Sequence, residues 1–142
     1  MGVGIYIRPT IPDNEARTAF AILRRLGVGL TGLERAVLLL HAGDLDLEAV
    51  KASVRADEAL FNPNIHALHV LPLEVPGPGE VWIESDLADR LTVAWFGEVR
   101  RVRAWIMRGA EGPAGAELIG ETLRALLLNP AVEHLVEHIG VA

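Results

Sequence analysis

Ala59-Leu60-Phe61-Asn62-Pro63-Asn64-Ile65-His66-Ala67-Leu68 recurs as Leu126-Leu127-Leu128-Asn129-Pro130-Ala131-Val132-Glu133-His134-Leu135, 67 positions later in a chain of 142 residues. In both stretches an apolar run of helical character meets Asn-Pro, and a short apolar segment follows. Proline does not continue a helix and pushes the preceding residue out of the α region, so each Asn-Pro is expected to end a helix. A repeat of about half the chain is a duplicated module and no solenoid, which needs three or more short units. Two such modules are expected to pack as a pseudo-dimer.

Working outward, Val3 to Arg8 alternates as a strand, with Val3, Ile5 and Ile7 on one face. Asp13 is a suitable N-cap for a helix running to about Leu26, with Ala16, Ala19, Phe20, Leu23 and Leu26 on its apolar stripe and Gly27 as its stop. Leu33 to His41 reads as a second strand; its run Val37-Leu38-Leu39-Leu40 suits burial on both faces. Asp44 or Asp46 caps a helix with the stripe Leu47, Val50, Val54 and Phe61, ended by Asn62-Pro63, and Ile65 to Leu73 is a third strand. The first module, residues 1–74, is therefore β-α-β-α-β.

The alternating Val75-Pro76-Gly77-Pro78-Gly79 is the linker, 75–79. In the second module, 80–142, Glu80 to Glu84 is a strand and Asp86 caps a short helix over Leu87, Leu91, Val93 and Trp95, stopped by Gly97. Val99 to Arg108 is a long strand of mixed alternation, with Val99, Arg101, Arg103, Trp105 and Met107 on one parity. Pro113 opens the last helix at the position that tolerates proline, and Leu118, Ile119, Thr122, Leu123, Leu126 and Leu127 are its apolar face. Gly115 and Gly120 each weaken that helix by roughly 1 kcal/mol against alanine. Val132 to Ile139 closes the module as a strand. The fold class expected is α+β: a two-layer sandwich of two β-α-β-α-β modules with helices on one sheet face.

The composition is that of an ordinary globular protein, 51% hydrophobic and 23% charged. No apolar run approaches the ~18 residues of a membrane span, and the start lacks the basic and apolar regions of a signal peptide. A soluble, cytoplasmic protein without membrane partners is expected. Zero cysteines exclude disulfides, thiol catalysis and cysteine-ligated zinc. A net charge of −6 argues against nucleic acid as a partner, since such binders neutralise phosphates. Twelve of the thirteen basic residues are arginine, Lys51 being the exception.

His134-Leu135-Val136-Glu137-His138 matches the H-x-x-E-H pattern of inverted zinc metallopeptidases. That pattern needs a helix and a third ligand, whereas this one follows Asn-Pro, falls in an expected strand and has only Gly140-Val141-Ala142 after it. His66 and His69 have odd spacing and so lie on opposite faces of a strand, and His41 is a strand-end residue. Ser53 and Ser85, the only serines, are not in nucleophile elbows, and neither Gly2-Val3-Gly4 nor Gly27-Val28-Gly29 completes a phosphate loop. No catalytic, cofactor-binding or metal site is assigned. Arg100, Arg101 and Arg103 form a local basic patch that is the candidate partner contact, or else a solvated strand face paired with Glu98 and other acids.

Each module resembles PurS, the small subunit of the purine-pathway amidotransferase phosphoribosylformylglycinamidine synthase. The resemblance rests in the first copy on Ile22-Leu23-Arg24-Arg25-Leu26-Gly27, Leu30-Thr31-Gly32-Leu33-Glu34 and Leu60-Phe61-Asn62-Pro63-Asn64-Ile65. In the second it rests on Trp95-Phe96-Gly97, Val99-Arg100-Arg101-Val102-Arg103 and Leu127-Leu128-Asn129-Pro130-Ala131-Val132. A Gly-Lys usual in that family is replaced by Ala36-Val37 and Trp105-Ile106. The resemblance implies a non-catalytic assembly subunit, a PurS dimer fused in one chain. It would bridge the synthetase and the glutaminase for ammonia transfer, leaving ATP, magnesium and glutamine chemistry to those partners. Exposed sheet edges would permit a homo-oligomer. The alternative expectation is a diverged stand-alone ferredoxin-like module, binding a small molecule between the copies near Gly27-Val28-Gly29 or acting as a regulator.

Overall fold

The computed structural model describes residues 2–86, 91–93 and 97–139. Six strands run antiparallel in the order β3-β1-β2-β6-β4-β8, and β5 and β7 pair with β6 off that path. The elements are β1 (Gly2–Pro9), α1 (Asn14–Arg25), β2 (Gly32–Ala42), α2 (Leu47–Arg55), β3 (His66–Leu73), β4 (Glu80–Ser85), β5 (Leu91–Val93), β6 (Gly97–Gly109), β7 (Gly112–Pro113), α3 (Ala116–Thr122) and β8 (Glu133–Leu135). A π-helical turn, Leu123–Leu127, continues α3. The fold is α+β. Among the described residues no helix is long and apolar enough to cross a membrane.

The strand order is palindromic, with the middle strands of the two halves, β2 and β6, meeting at its centre. One row of facing residues crosses all six strands: Leu68, Ile7, Val37, Arg103, Ile83, Leu135. Read inward from either end it runs Leu-Ile and then differs, Val37 on one side and Arg103 on the other. The antiparallel β2–β6 register therefore has a local two-fold axis at the Val37–Arg103 pair.

The helices pack on one face of the sheet. Leu23, Ala19 and Ala16 of α1 join Leu123 and Leu127 against Ile83, Trp105 and Met107. Val50 and Val54 of α2 cover Val3, Ile5, Ile7 and Leu39. The opposite face carries a third core with no helical residue: Tyr6, Ala36, Leu38, Trp82, Val102, Ala104, Val136 and Ile139. It is closed by curling, since the segments leaving the two edge strands meet where Ile139 N–H donates to Glu74 O at 2.8 Å. The face without helices thus forms a core of its own.

The caps follow the sequence. Asp13 Oδ1 accepts from Glu15 and Ala16 N–H, Asp46 Oδ1 accepts from Glu48 and Ala49 N–H, and Gly27 takes φ +83° after α1. Leu26 is the C-cap of α1 and is 59% exposed, so it leaves the expected apolar stripe.

Four expectations need correction. α2 ends at Arg55, well before Asn62-Pro63, because Asp57 begins a turn of its own: its carboxylate takes Ala59 N–H and its carbonyl takes Phe61 N–H. Leu91–Val93, assigned to a helix, is a strand paired with Gly97–Val99; Leu87 and Trp95 of that assignment lie outside the described residues. A short apolar run with a β-branched residue fits either period, and pairing decided it. Gly112-Pro113 does not open a helix. It returns against Gly109 and Arg108, with Gly112 at φ +120°, and α3 starts at Ala116 behind Gly115. The closing strand is only Glu133–Leu135, beyond which Val136 and Ile139 turn into the third core.

The repeated Asn-Pro has the same structure in both places. Asn62 O accepts from Ile65 and His66 N–H and its side chain from Asn64 N–H; Asn129 O accepts from Val132 and Glu133 N–H and its side chain from Ala131 N–H. In each the residue's own N–H is taken by the side chain four positions on, His66 Nδ1 at 3.0 Å and Glu133 Oε1 at 2.8 Å. The motif is an Asx turn that launches the last strand of its half. Only in the second half does it also directly follow a helix, whose π-helical turn gives way at extended Leu128.

Candidate functional site

The helix face is not covered evenly. Between α1 and the turn before β3 an open groove of about 560 Å³ exposes the middle of the six-strand row, with Ile7, Val37, Arg103 and Ile83 as its floor. Val37 is 41% exposed, although Leu38 and Leu39 beside it are fully buried. The expectation that this run is buried on both faces therefore fails at Val37, whose outer side faces the groove. One wall is Pro9, Ile11, Pro12, Ile65 and His66; Asp13 and Asn14, at the start of α1, close one end, and Ser85 and Arg101 also line it.

Three arginines reach this groove from β2 and β6. Arg35 is clamped by Asp13, through Nε to Oδ2 at 3.0 Å and a second guanidinium nitrogen to Oδ1 at 3.0 Å, and also pairs with Glu15. Its guanidinium lies 5.9 Å from the Trp105 ring centroid. Arg103 pairs with Glu133. Arg101 is exposed, and among the described residues it has no hydrogen-bond or ion-pair partner.

Arg100, Arg101 and Arg103 therefore do not form one patch. Arg100 points to the opposite face, where its Nε and a terminal nitrogen hold Glu84 at 3.0 and 2.9 Å, with side chains only 12% and 17% exposed. Arg101 and Arg103 share the groove. Strand parity carried this division, since Arg101 and Arg103 alternate with residues that face the other way. Val37, Ile11, Ile65 and His66 were not found, because a groove between a loop, a turn and a sheet leaves no local signal.

The H-x-x-E-H segment is not assembled as in a peptidase. His134 lies on β8 with its two ring nitrogens against Asp86 Oδ1 at 2.5 Å and Glu84 Oε1 at 3.0 Å. The Arg100 hydrogen bonds, aided by His134, hold the Glu84 carboxyl below the ordinary carboxylate value against the opposing effect of burial. Among the described residues no three His, Asp or Glu side chains are placed to hold a metal ion. Gly27-Val28-Gly29 lies away from the groove, and Val28 is buried in the core beneath α1. His66 and His69 do take opposite faces, His66 opposite Pro9 and His69 opposite Tyr6.

Comparisons with known protein families, curated proteins and solved structures find no match to the chain.

Proposed function

We propose that the chain is a fused pair of PurS-like modules and serves as a non-catalytic assembly subunit of a phosphoribosylformylglycinamidine synthase, bridging glutaminase and synthetase. The observation that carries this reading is the six-strand row, Leu68-Ile7-Val37 meeting Arg103-Ile83-Leu135 about the centre of β2–β6. Such a register is what joining two copies of one module through their middle strands produces. The matching Asn62 and Asn129 turns support the same duplication. On this reading ATP, magnesium and glutamine chemistry belongs to the partners. β3, an eight-residue edge strand, is the surface on which a second copy would pair.

The test is light-scattering mass of the chain alone and mixed with synthetase and glutaminase subunits, glutamine and ADP. A discrete ternary complex is expected. A chain that stays free, under conditions where an authentic small subunit assembles, overturns the bridging role.

A further inference from the structure

We infer that the groove over the Val37–Arg103 pair binds a small organic anion, its carboxylate or phosphate held by Arg101 and its apolar body lying on Ile7, Val37 and Ile83. The inference rests on the groove itself and goes beyond the bridging role.

Charge is the first ground. Of the three arginines lining the groove, Arg35 is matched by Asp13 and Glu15, and Arg103 by Glu133. Asp13 is the one acid in the described lining, and its carboxylate is already committed to Arg35 and to capping α1. Arg101 is left as an unmatched positive charge in a chain of net charge −6. An anion gains there and a cation does not.

Position is the second ground. The pairs Arg35–Trp105 and Leu39–Arg101 lie at equal steps on either side of Val37–Arg103, so Arg35 and Arg101 occupy equivalent places about the local axis. On one side a carboxylate sits bidentate on the guanidinium, the geometry that suits arginine best. On the other, the guanidinium borders open space. A ligand carboxylate or phosphate on Arg101 would repeat what Asp13 does for Arg35.

The lining supplies the rest. His66 Nδ1 accepts from Asn62 N–H, which places the neutral ring's proton on Nε2 and makes that atom a second donor. Half-exposed Val37, flanked in the row by buried Ile7 and by Arg103, with buried Ile83 beyond, offers apolar surface for a ring or short chain. A volume of about 560 Å³ suits a small molecule.

The experiment titrates the full chain with benzoate, phenyl phosphate, inorganic phosphate and neutral benzamide, followed by methyl NMR of Ile7, Val37 and Ile83. Saturable shifts at those methyls with benzoate or phenyl phosphate, and none with benzamide, are expected; the tighter of the two identifies the head group. Arg101→Met, which keeps the aliphatic stem, should weaken binding by roughly tenfold or more. Arg108→Met, an exposed change on the same strand outside the groove, should leave it unchanged. The inference is overturned if neither organic anion saturates, if the shifts fall elsewhere, or if Arg101→Met binds as the parent does. Inorganic phosphate matching phenyl phosphate in affinity would overturn the role given to the apolar floor.

Discussion

Tyr6 and Glu80 are joined by a 2.6 Å hydrogen bond from the phenol to Oε2, although β2 and β6 lie between their strands. On a flat sheet three strand spacings alone would put such residues at least about 14 Å apart. The sheet curls towards its helix-free face, and the small residues Gly4, Ala36 and Ala104 there leave room for it; a Cβ on Gly4 would stand 2.5 Å from Leu73 Cδ2. Trp82 Nε1 donates to the same Glu80 oxygen at 2.6 Å, so the carboxylate ties three buried-face residues together.

Burial first, and then the hydrogen bond and charge of Glu80, raise the Tyr6 pKa above its ordinary 10.0. Above pH 10.0 the unfolded chain releases this proton while the folded chain keeps it. The associated stability is complete below that pH and is lost as pH rises towards the folded value. Tyr6 is the only tyrosine, so tyrosinate absorbance reports it alone. The signal is expected to stay flat through pH 10.0 and to appear together with unfolding. Tyr6→Phe should lower stability at neutral pH by about 1–2 kcal/mol, measured by denaturant unfolding. A phenol that titrates at its ordinary value in the folded chain would contradict this.

Arg100 and Glu84 set the acid limit on the same face. The Glu84 carboxyl is held low mainly by the Arg100 hydrogen bonds. Its contribution is full above the ordinary value of 4.5 and is lost as pH falls through the lower folded value. Arg100→Met should cost on the order of 2–3 kcal/mol at neutral pH, because it leaves a largely buried carboxylate without its main partner. Its unfolding midpoint should fall less than that of the parent as pH is taken below 4.5, since without Arg100 the folded carboxyl is no longer held as low. Equal acid sensitivity in the two proteins would remove Glu84 from the account.

What was legible in the sequence was local. Asp13, Asp46 and Gly27 act through groups within a few residues, and their caps stand as read. The six path strands were found because period-two runs and buried runs carry their own signal. Most misreadings turned on strand pairing, which periodicity alone does not show, while α2 ends early at the local Asp57 turn. Gly112-Pro113 became a hairpin return because β6 runs on to Gly109, and Leu91–Val93 became a strand because Gly97–Val99 was there to pair with it. The groove was hidden for the same reason. Val37 belongs to an apolar run that looks like core, and only the row placing it beside Arg103 reveals an open surface.

Asp13 and Asp46 separate capping from pairing. Both cap a helix with the same two backbone bonds, but Asp13 also holds Arg35. Asp46→Ala should cost about 1 kcal/mol, the usual value of a lost N-cap. Asp13→Ala should cost at least about 1 kcal/mol more, since it also removes two charge-assisted bonds from a half-buried arginine. Asp13→Asn keeps a capping oxygen and should fall between them. Equal losses at Asp13 and Asp46 in thermal or denaturant unfolding would show that the Arg35 clamp adds nothing.

Gly79 and Gly27 both take positive φ, +73° and +83°, but only one is also crowded. A Cβ on Gly27 would meet nothing within 4 Å, so Gly27→Ala should cost only the left-handed backbone penalty, about 1 kcal/mol. At Gly79 the added carbon would stand 2.5 Å from Met107 O, 3.1 Å from Ala114 N and 3.2 Å from Pro113 Cβ. Gly79 O also accepts from Met107 N–H at 2.7 Å, so the backbone cannot withdraw without breaking a bond that starts β4 alongside β6. Gly79→Ala should therefore cost about 3 kcal/mol or more, combining backbone strain with a displaced strand start. Hydrogen exchange locates the damage: protection should fall at Met107 and Ala114 in Gly79→Ala and stay at parent levels there in Gly27→Ala. If the two variants proved equally stable, the close approach of the Gly79 backbone to β6 would not be what the position requires.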